Sequence, residues 1–147
     1  MLEIIPSPRE FSETGGTSDV RTVDLPKECP FDWDVMFELW GESGGYADGT
    51  VGSLSFEKAD GLGNEEYTFS ITQERITIGH SSPAGAYYGF VTLCELMKVH
   101  RAAVPCVDIT DGPRMPVRAI TDDISRGQIS TLDDFKSIVK RLSLFKI

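Results

Sequence analysis

The side chains that could perform chemistry in this 147-residue chain are few and scattered. Two adjacent carboxylates, Asp122 and Asp123, invite comparison with an acid/base pair or a metal site, and Arg126 follows three residues later. Adjacent residues of a strand point to opposite faces of a sheet, so the two carboxylates would not converge on one substrate atom. We therefore expect them to hold the end of a strand or to pair with Arg126.

The histidines and cysteines do not form a motif. His80 and His100 lie at the ends of predicted elements, and we assign neither a function. Cys29, Cys94 and Cys106 are odd in number and have no Cys-x-x-Cys spacing, which argues against a zinc site and against a disulfide framework. Cys94 falls inside an apolar helical pattern and is expected to be a small buried hydrophobe. The sequence predicts no metal and no cofactor.

The net charge of the chain restricts the kinds of molecule that it is expected to bind. The formal net charge is −9, and lysine and arginine cluster only near the C-terminal end. This balance argues against nucleic acid and against anionic membranes, and neutral partners such as sugars suit it better. No apolar run approaches the ~18 residues of a membrane span. The first residues lack the basic and apolar regions of a signal peptide, which leaves two expectations: a cytoplasmic protein, or a secreted one whose signal peptide was removed.

The elements before residue 112 predict a two-layer α+β sandwich, a mostly antiparallel sheet covered by two helices. Helical spacing runs from Phe31 to Trp40, and a second helix begins at Pro83 with Ser82 as its N-cap. Alternation at period two predicts half-buried antiparallel strands, with further short strands at the start of the chain and before the boundary. The predicted strands are Ile4–Pro6, Val20–Leu25, Val51–Phe56, Tyr67–Ile71, Ile76–Ile78 and Val107–Ile109. The predicted core contains Tyr67, Phe69, Ile71, Ile76, Ile78, Phe90 and Leu93.

Asp111–Pro113 has the composition of a turn and a linker. We therefore predict one domain over residues 1–112 and a second over residues 113–147. Val117–Ile124 can form a strand. A helix is predicted from about Leu132 to Phe145, capped by Ser130 or Thr131, with acids in its first turn and bases in its last. One strand and one helix cannot close a sheet, so we expect a truncated part of something larger, whose exposed apolar stripe favours dimerisation.

Two stretches resemble glycoside hydrolase family 20. The run Gly85-Ala-Tyr-Tyr-Gly-Phe-Val-Thr-Leu93, after the hairpin Tyr67–Gly79, resembles the domain that precedes the barrel in that family. There Gly85 and Gly89 would let the helix lie close to the sheet. Ile109–Arg114 and Arg118–Gly127 are similar to the linker and the first barrel strand, and Arg118, Asp123 and Arg126 stand at the matching offsets. Ala119 stands where the family usually has glycine.

The resemblance implies that residues 113–147 are the first strand and helix of a (β/α)8 barrel. It also implies a β-N-acetylhexosaminidase that acts on N-acetylhexosamine-containing glycans by substrate-assisted, retaining hydrolysis. The aspartate and glutamate that perform this chemistry belong to the fourth barrel strand, so we expect no catalytic residue in this chain and no activity from it alone. Arg126 would bind sugar hydroxyls. Two alternatives stay open: the front domain of a sister glycosidase (family 84 or an α-glucuronidase), or a non-enzymatic carbohydrate-associated interaction domain.

Overall fold

A computed structural model describes residues 4–45, 52–125, 127 and 129–147. The chain divides into two compact units, Met1–Gly112 and Pro113–Ile147. Within the described residues, no helix combines the length and the apolar character that crossing a membrane requires.

The first unit is an α+β structure built on one five-stranded sheet. The strands lie in the order β1-β5-β3-β4-β2. The pairs β1–β5, β5–β3 and β3–β4 are antiparallel, whereas β2 and β4 are parallel. The elements are β1 (Glu10–Ser18), α1 (Trp33–Glu42), β2 (Ser53–Lys58), β3 (Tyr67–Ile71), β4 (Arg75–His80), α2 (Pro83–His100) and β5 (Val104–Asp111).

The predicted antiparallel arrangement is wrong for β2. This strand pairs with β4 in register from Ser53 opposite Arg75 to Lys58 opposite His80, in the same direction. After β2 the chain forms β3 two strand positions away and then returns in the β3–β4 hairpin. The hairpin places β4 between β3 and β2. Alternation at period two reveals which side chains face the core, but it contains no information on the direction of the neighbouring strand.

The N-terminal strands were also predicted incorrectly. Val20–Thr22 is a turn of 3-10 helix rather than a strand, because the Asp19 carboxylate accepts a hydrogen bond from the Arg21 backbone N–H and closes the turn. Ile4–Pro6 forms no strand either. The strand at this end is β1, which is almost wholly exposed at the sheet edge and shifts register between Glu13 and Thr17. An exposed edge strand needs no apolar alternation, so its sequence resembles a loop.

The core lies between the sheet and the two helices, and the prediction for it is confirmed. All seven predicted core side chains are at most 1% exposed. Phe90 of α2 is the centre of an aromatic cluster, with ring centroids 5.7 Å from Phe31, 6.3 Å from Trp40 and 6.4 Å from Phe56. This cluster joins both helices to β2, so one contiguous apolar core holds the layers together.

Helix α2 lies close to the sheet, as its glycines predict. Ser82 caps the helix by accepting hydrogen bonds from the backbone N–H groups of Ala84 and Gly85, and Pro83 occupies the first turn. A β-carbon on Gly89 would lie 2.6 Å from Ile78 Cγ2, and one on Gly85 would overlap the backbone oxygen of Glu66. Both positions therefore require glycine for the observed helix–sheet distance.

The second unit contains α3 (Leu132–Leu144), whose N-cap is Thr131. Thr131 Oγ1 accepts from the Asp134 N–H at 3.2 Å, and the Asp134 carboxylate accepts from the Thr131 N–H at 3.0 Å, a reciprocal capping box. The predicted strand Val117–Ile124 is not observed as a hydrogen-bonded strand. A strand needs a neighbour that pairs with its N–H and C=O groups, and the described residues of this unit provide no second strand.

Candidate functional site

The one residue with a predicted ligand role, Arg126, lies outside the described residues. The described carboxylates just before it do not form an acid/base pair. Asp123 Oδ1 accepts hydrogen bonds from the backbone N–H of Ser125, at 2.9 Å, and from its hydroxyl. These two bonds lower the pKa of the exposed Asp123 carboxyl. Asp123 thus stabilises a local turn as an ionised acceptor, a role close to the predicted one of holding the end of the segment.

Arg118 donates hydrogen bonds to two backbone carbonyl groups of the second unit. Its Nε donates to the backbone oxygen of Lys146 at 2.7 Å, and its guanidinium also donates to the backbone oxygen of Met115 at 2.8 Å. Lys146 lies just after α3, where helical carbonyl groups lack intrahelical partners. A fixed, always charged donor group is well suited to this end of a helix. Arg118 therefore links the beginning of residues 117–124, the predicted strand, to the end of α3.

A groove of about 490 Å³ lies in the second unit between residues 118–122 and one face of α3. Its walls are mainly apolar, with Ile120 on one side and Ile138 and Leu142 among the helix residues on the other. Asp122 and Arg118 supply polar groups at the same groove. The helix stripe stays partly uncovered, since Leu132 and Val139 are 70% and 64% exposed.

The first unit contains a buried polar cluster that the sequence analysis did not identify. The Tyr67 hydroxyl donates to the Asp111 carboxylate at 2.8 Å and lies 2.6 Å from Thr92 Oγ1. Asp111 also accepts from the Arg9 backbone N–H at 3.2 Å. Burial, then the neighbouring Asp111 charge, raises the pKa of Tyr67 well above its usual value, so the phenol remains a donor. The sequence contained an indication of this cluster. Asp111 lies two residues after the inward-facing Ile109 in β5, so both side chains point to the same face of the sheet.

The three cysteines and His80 lie in surroundings that disfavour their charged forms. Burial raises the pKa of Cys94 to about 12 and also raises those of Cys29 and Cys106, and all three thiols are free. His80 is buried, with Nδ1 3.0 Å from the Ser82 backbone oxygen, and burial lowers its pKa. Among the described residues, no group of three or more metal-ligating side chains is assembled.

Comparison with known proteins identifies a family and a relative that this chain resembles. Residues 36–112 match the family model described as glycosyl hydrolase family 20, domain 2. A beta-hexosaminidase from Vibrio vulnificus is 27% identical over 129 residues, which cover 84% of this chain but 15% of that protein. The chain thus spans less than a fifth of the length of this curated relative.

Solved structures share the fold over nearly the whole chain. The beta-N-acetylhexosaminidase from Bacteroides fragilis NCTC 9343 is 25% identical with a TM-score of 0.78, covering 98% of this chain and 31% of that one. The protein CpGH84B has the same TM-score at 16% identity, covering 99% of this chain and 28% of that one. Since both fit equally well, the fold alone does not separate these proteins, and the sequence match over residues 36–112 distinguishes between them.

Proposed function

The chain belongs to glycosyl hydrolase family 20, and from this membership we propose that it forms the non-catalytic front part of an enzyme that removes terminal β-linked N-acetylhexosamine. The observation that carries the proposal is the family match over residues 36–112. The two glycines of α2 that the family pattern requires lie against the sheet, where a side chain would not fit. The fold is consistent with this assignment. The buried polar groups of the first unit stabilise its structure.

Under this proposal, residues 1–112 are the α+β domain and residues 113–147 are the first strand and helix of the catalytic barrel. The acetamido oxygen of the substrate attacks the anomeric carbon, and an aspartate and a glutamate that orient this group and protonate the leaving oxygen come from elsewhere in the barrel. Arg126 contributes binding, because a guanidinium group presents five donors in a fixed fork to paired hydroxyl acceptors. Barrel active sites lie at the C-terminal ends of strands, where a residue following Val117–Ile124 would be placed.

The assay is hydrolysis of p-nitrophenyl N-acetyl-β-glucosaminide by the 147-residue chain, by the full-length enzyme and by its Arg126→Ala variant. We expect no turnover from the 147-residue chain. Loss of Arg126 removes charge-assisted hydrogen bonds of ~1.5–3 kcal/mol each, or roughly 10- to 150-fold in kcat/KM per bond. Arg141→Gln, which removes an exposed positive charge from α3, is the control and should leave kcat/KM unchanged. Activity of the 147-residue chain, or an unaffected Arg126→Ala enzyme, would contradict the assignment.

Two alternative functions predict different results. A sister glycosidase of family 84 would have two aspartates in place of the Asp–Glu pair, which the downstream sequence would reveal. A non-enzymatic interaction domain would bind sugars by itself, so the 147-residue chain would retain ligands on a glycan array. The family match and the curated relative favour the hexosaminidase, and we expect no glycan binding by this chain alone.

Self-association of the 147-residue chain follows from the exposed stripe of α3. Leu132, Val139 and Phe145 are 70%, 64% and 52% exposed, and contiguous apolar surface of this kind favours burial against another molecule. We expect light scattering to show dimers at micromolar concentration. The double variant Leu132→Glu/Val139→Glu should be monomeric, whereas the control Ser137→Glu, which adds a carboxylate on the opposite face of the same helix, should still associate. A monomeric parent chain with an ordered α3 would rule out this association.

A further inference from the structure

We infer that the first part of the edge strand β1, residues 10–13, opens and closes over β5, and that a latch centred on Arg9 holds it closed. Arg9 directly precedes β1 and donates to two carboxylates. Its backbone N–H donates to Asp111 Oδ1 at 3.2 Å, and its Nη1 donates to Glu66 Oε1 at 2.7 Å. These three residues form the latch. It lies within the first unit, and its role is independent of the proposed function.

Both carboxylates of the latch are also bound through their second oxygen. Asp111 Oδ2 accepts from the buried Tyr67 hydroxyl at 2.8 Å. Glu66 Oε2 accepts from the Gly63 backbone N–H at 2.8 Å. The Gly63 N–H, followed by the Arg9 guanidinium, lowers the pKa of Glu66, which keeps this acceptor ionised. Arg9 therefore binds two acceptors that the fold already holds in place, so less side-chain freedom is lost when the ion pair forms.

Close packing holds Glu66 as well. Its backbone N–H donates to the Gly63 oxygen at 3.1 Å, just before β3 begins. A β-carbon on Gly112, the last residue of the first unit, would lie 2.5 Å from Glu66 Cγ. One on Gly85, in the first turn of α2, would overlap the Glu66 backbone oxygen. The latch thus connects the start of β1 to a point where β3, α2 and the end of the unit meet.

A register shift divides β1 into two stretches. Residues 10–13 and residues 17–18 pair with β5 on either side of the shift. Within it, Gly15 and Gly16 have φ angles of 88° and 87°, a conformation that glycine adopts at little cost. The second stretch ends in the buried Ser18, whereas every residue of the first is exposed. The first stretch gains less from burial, so the hydrogen bonds of the latch contribute more to its stability.

Amide hydrogen exchange, followed residue by residue by NMR in the 147-residue chain, tests the latch. Arg9→Met retains the unbranched stem and removes every side-chain donor. We expect it to speed the exchange of the protected amides of residues 10–13 by about two- to fivefold, the range of an exposed ion pair. Arg9→Lys should have a smaller effect, because it retains a charged donor. Burial of Ile4 is common to all variants and does not account for a difference.

Arg21→Met is the matched control. Arg21 Nη2 donates to Asp19 Oδ2 at 2.9 Å, and the two side chains are 31% and 35% exposed, against 36% and 32% for Arg9 and Glu66. This pair lies beyond the other end of β1. Arg21→Met should therefore leave the exchange of residues 10–13 unchanged. Unchanged exchange in Arg9→Met, or an equal effect of both substitutions, would overturn the inference.

The pattern within β5 distinguishes opening of β1 from general unfolding of the unit. In an antiparallel strand with two neighbours, successive N–H groups point alternately to one neighbour and to the other. Residues 107–110 pair with β1 on one side, and residues 108–111 pair with β3 on the other. In Arg9→Met, we expect faster exchange of the amides that point to β1 and no change for those that point to β3. Uniformly faster exchange along β5 would show a general loss of stability and contradict a separate opening of β1.

Discussion

Replacement of Gly85 by alanine is expected to lower the free energy of unfolding of the first unit by about 3 kcal/mol, at the upper end of typical overpacking costs. The added methyl group would overlap the backbone oxygen of Glu66. Glu66 directly precedes β3, and its backbone cannot rotate away without disturbing the strand, so α2 must shift. Gly89→Ala should cost about 1–2 kcal/mol, since its 2.6 Å contact is with the Ile78 Cγ2 methyl group, which can yield slightly.

Gly41 provides the matched control for these substitutions. It lies in α1, and a β-carbon there would have nothing within 4 Å. Gly41→Ala should therefore raise stability by roughly 0.5–1 kcal/mol, because alanine loses less backbone entropy in a helix. Urea unfolding followed by tryptophan fluorescence measures all three variants, since Trp33 and Trp40 both lie in α1. Equal effects at positions 41 and 85 would show that helix propensity, rather than helix–sheet distance, governs these glycines.

Stability is expected to decrease steeply at alkaline pH. Burial raises the pKa of Cys94 from 9 to about 12, and burial together with the Asp111 charge raises that of Tyr67 above 10. A raised pKa means that the folded state holds its proton more tightly than the unfolded state. The corresponding stability is complete below pH 9 and is lost as the pH rises towards 12. For the Cys94 thiol alone the loss is on the order of 4 kcal/mol.

The pH dependence can be assigned by comparing variants. Cys94→Ala should be less stable than the parent at pH 7, because it leaves a small cavity, but its unfolding free energy should depend less on pH between 9 and 11. Tyr67→Phe should remove a further part of the dependence above pH 10. Ionisation of lysine residues is shared by all three proteins and cancels in the comparison. Identical slopes in the parent and in Cys94→Ala would show that the thiol ionises equally in both states.

The sequence determined the parts of this protein that depend on local physics. Alternation predicted the core faces of β3 and β4, and the Ser82-Pro83 pair predicted the start of α2, because capping is decided within one turn. The helical spacing of Gly85 and Gly89 predicted a close contact with the sheet, which the positions of Ile78 and Glu66 confirm. The same run of residues carried the family assignment.

Other features were decided only by the tertiary structure, because they depend on neighbours that are distant in sequence. The direction of β2 is set by β4, and the edge strand β1 exists because β5 pairs with it. Val117–Ile124 has strand-like composition but forms no ladder in the described second unit, since pairing needs a partner. The bonds from Tyr67 and Arg9 to Asp111 span 44 and 102 residues, and the link from Arg118 to Lys146 spans 28. Local periodicity contains no information about contacts at such distances, so only folding brings these groups together.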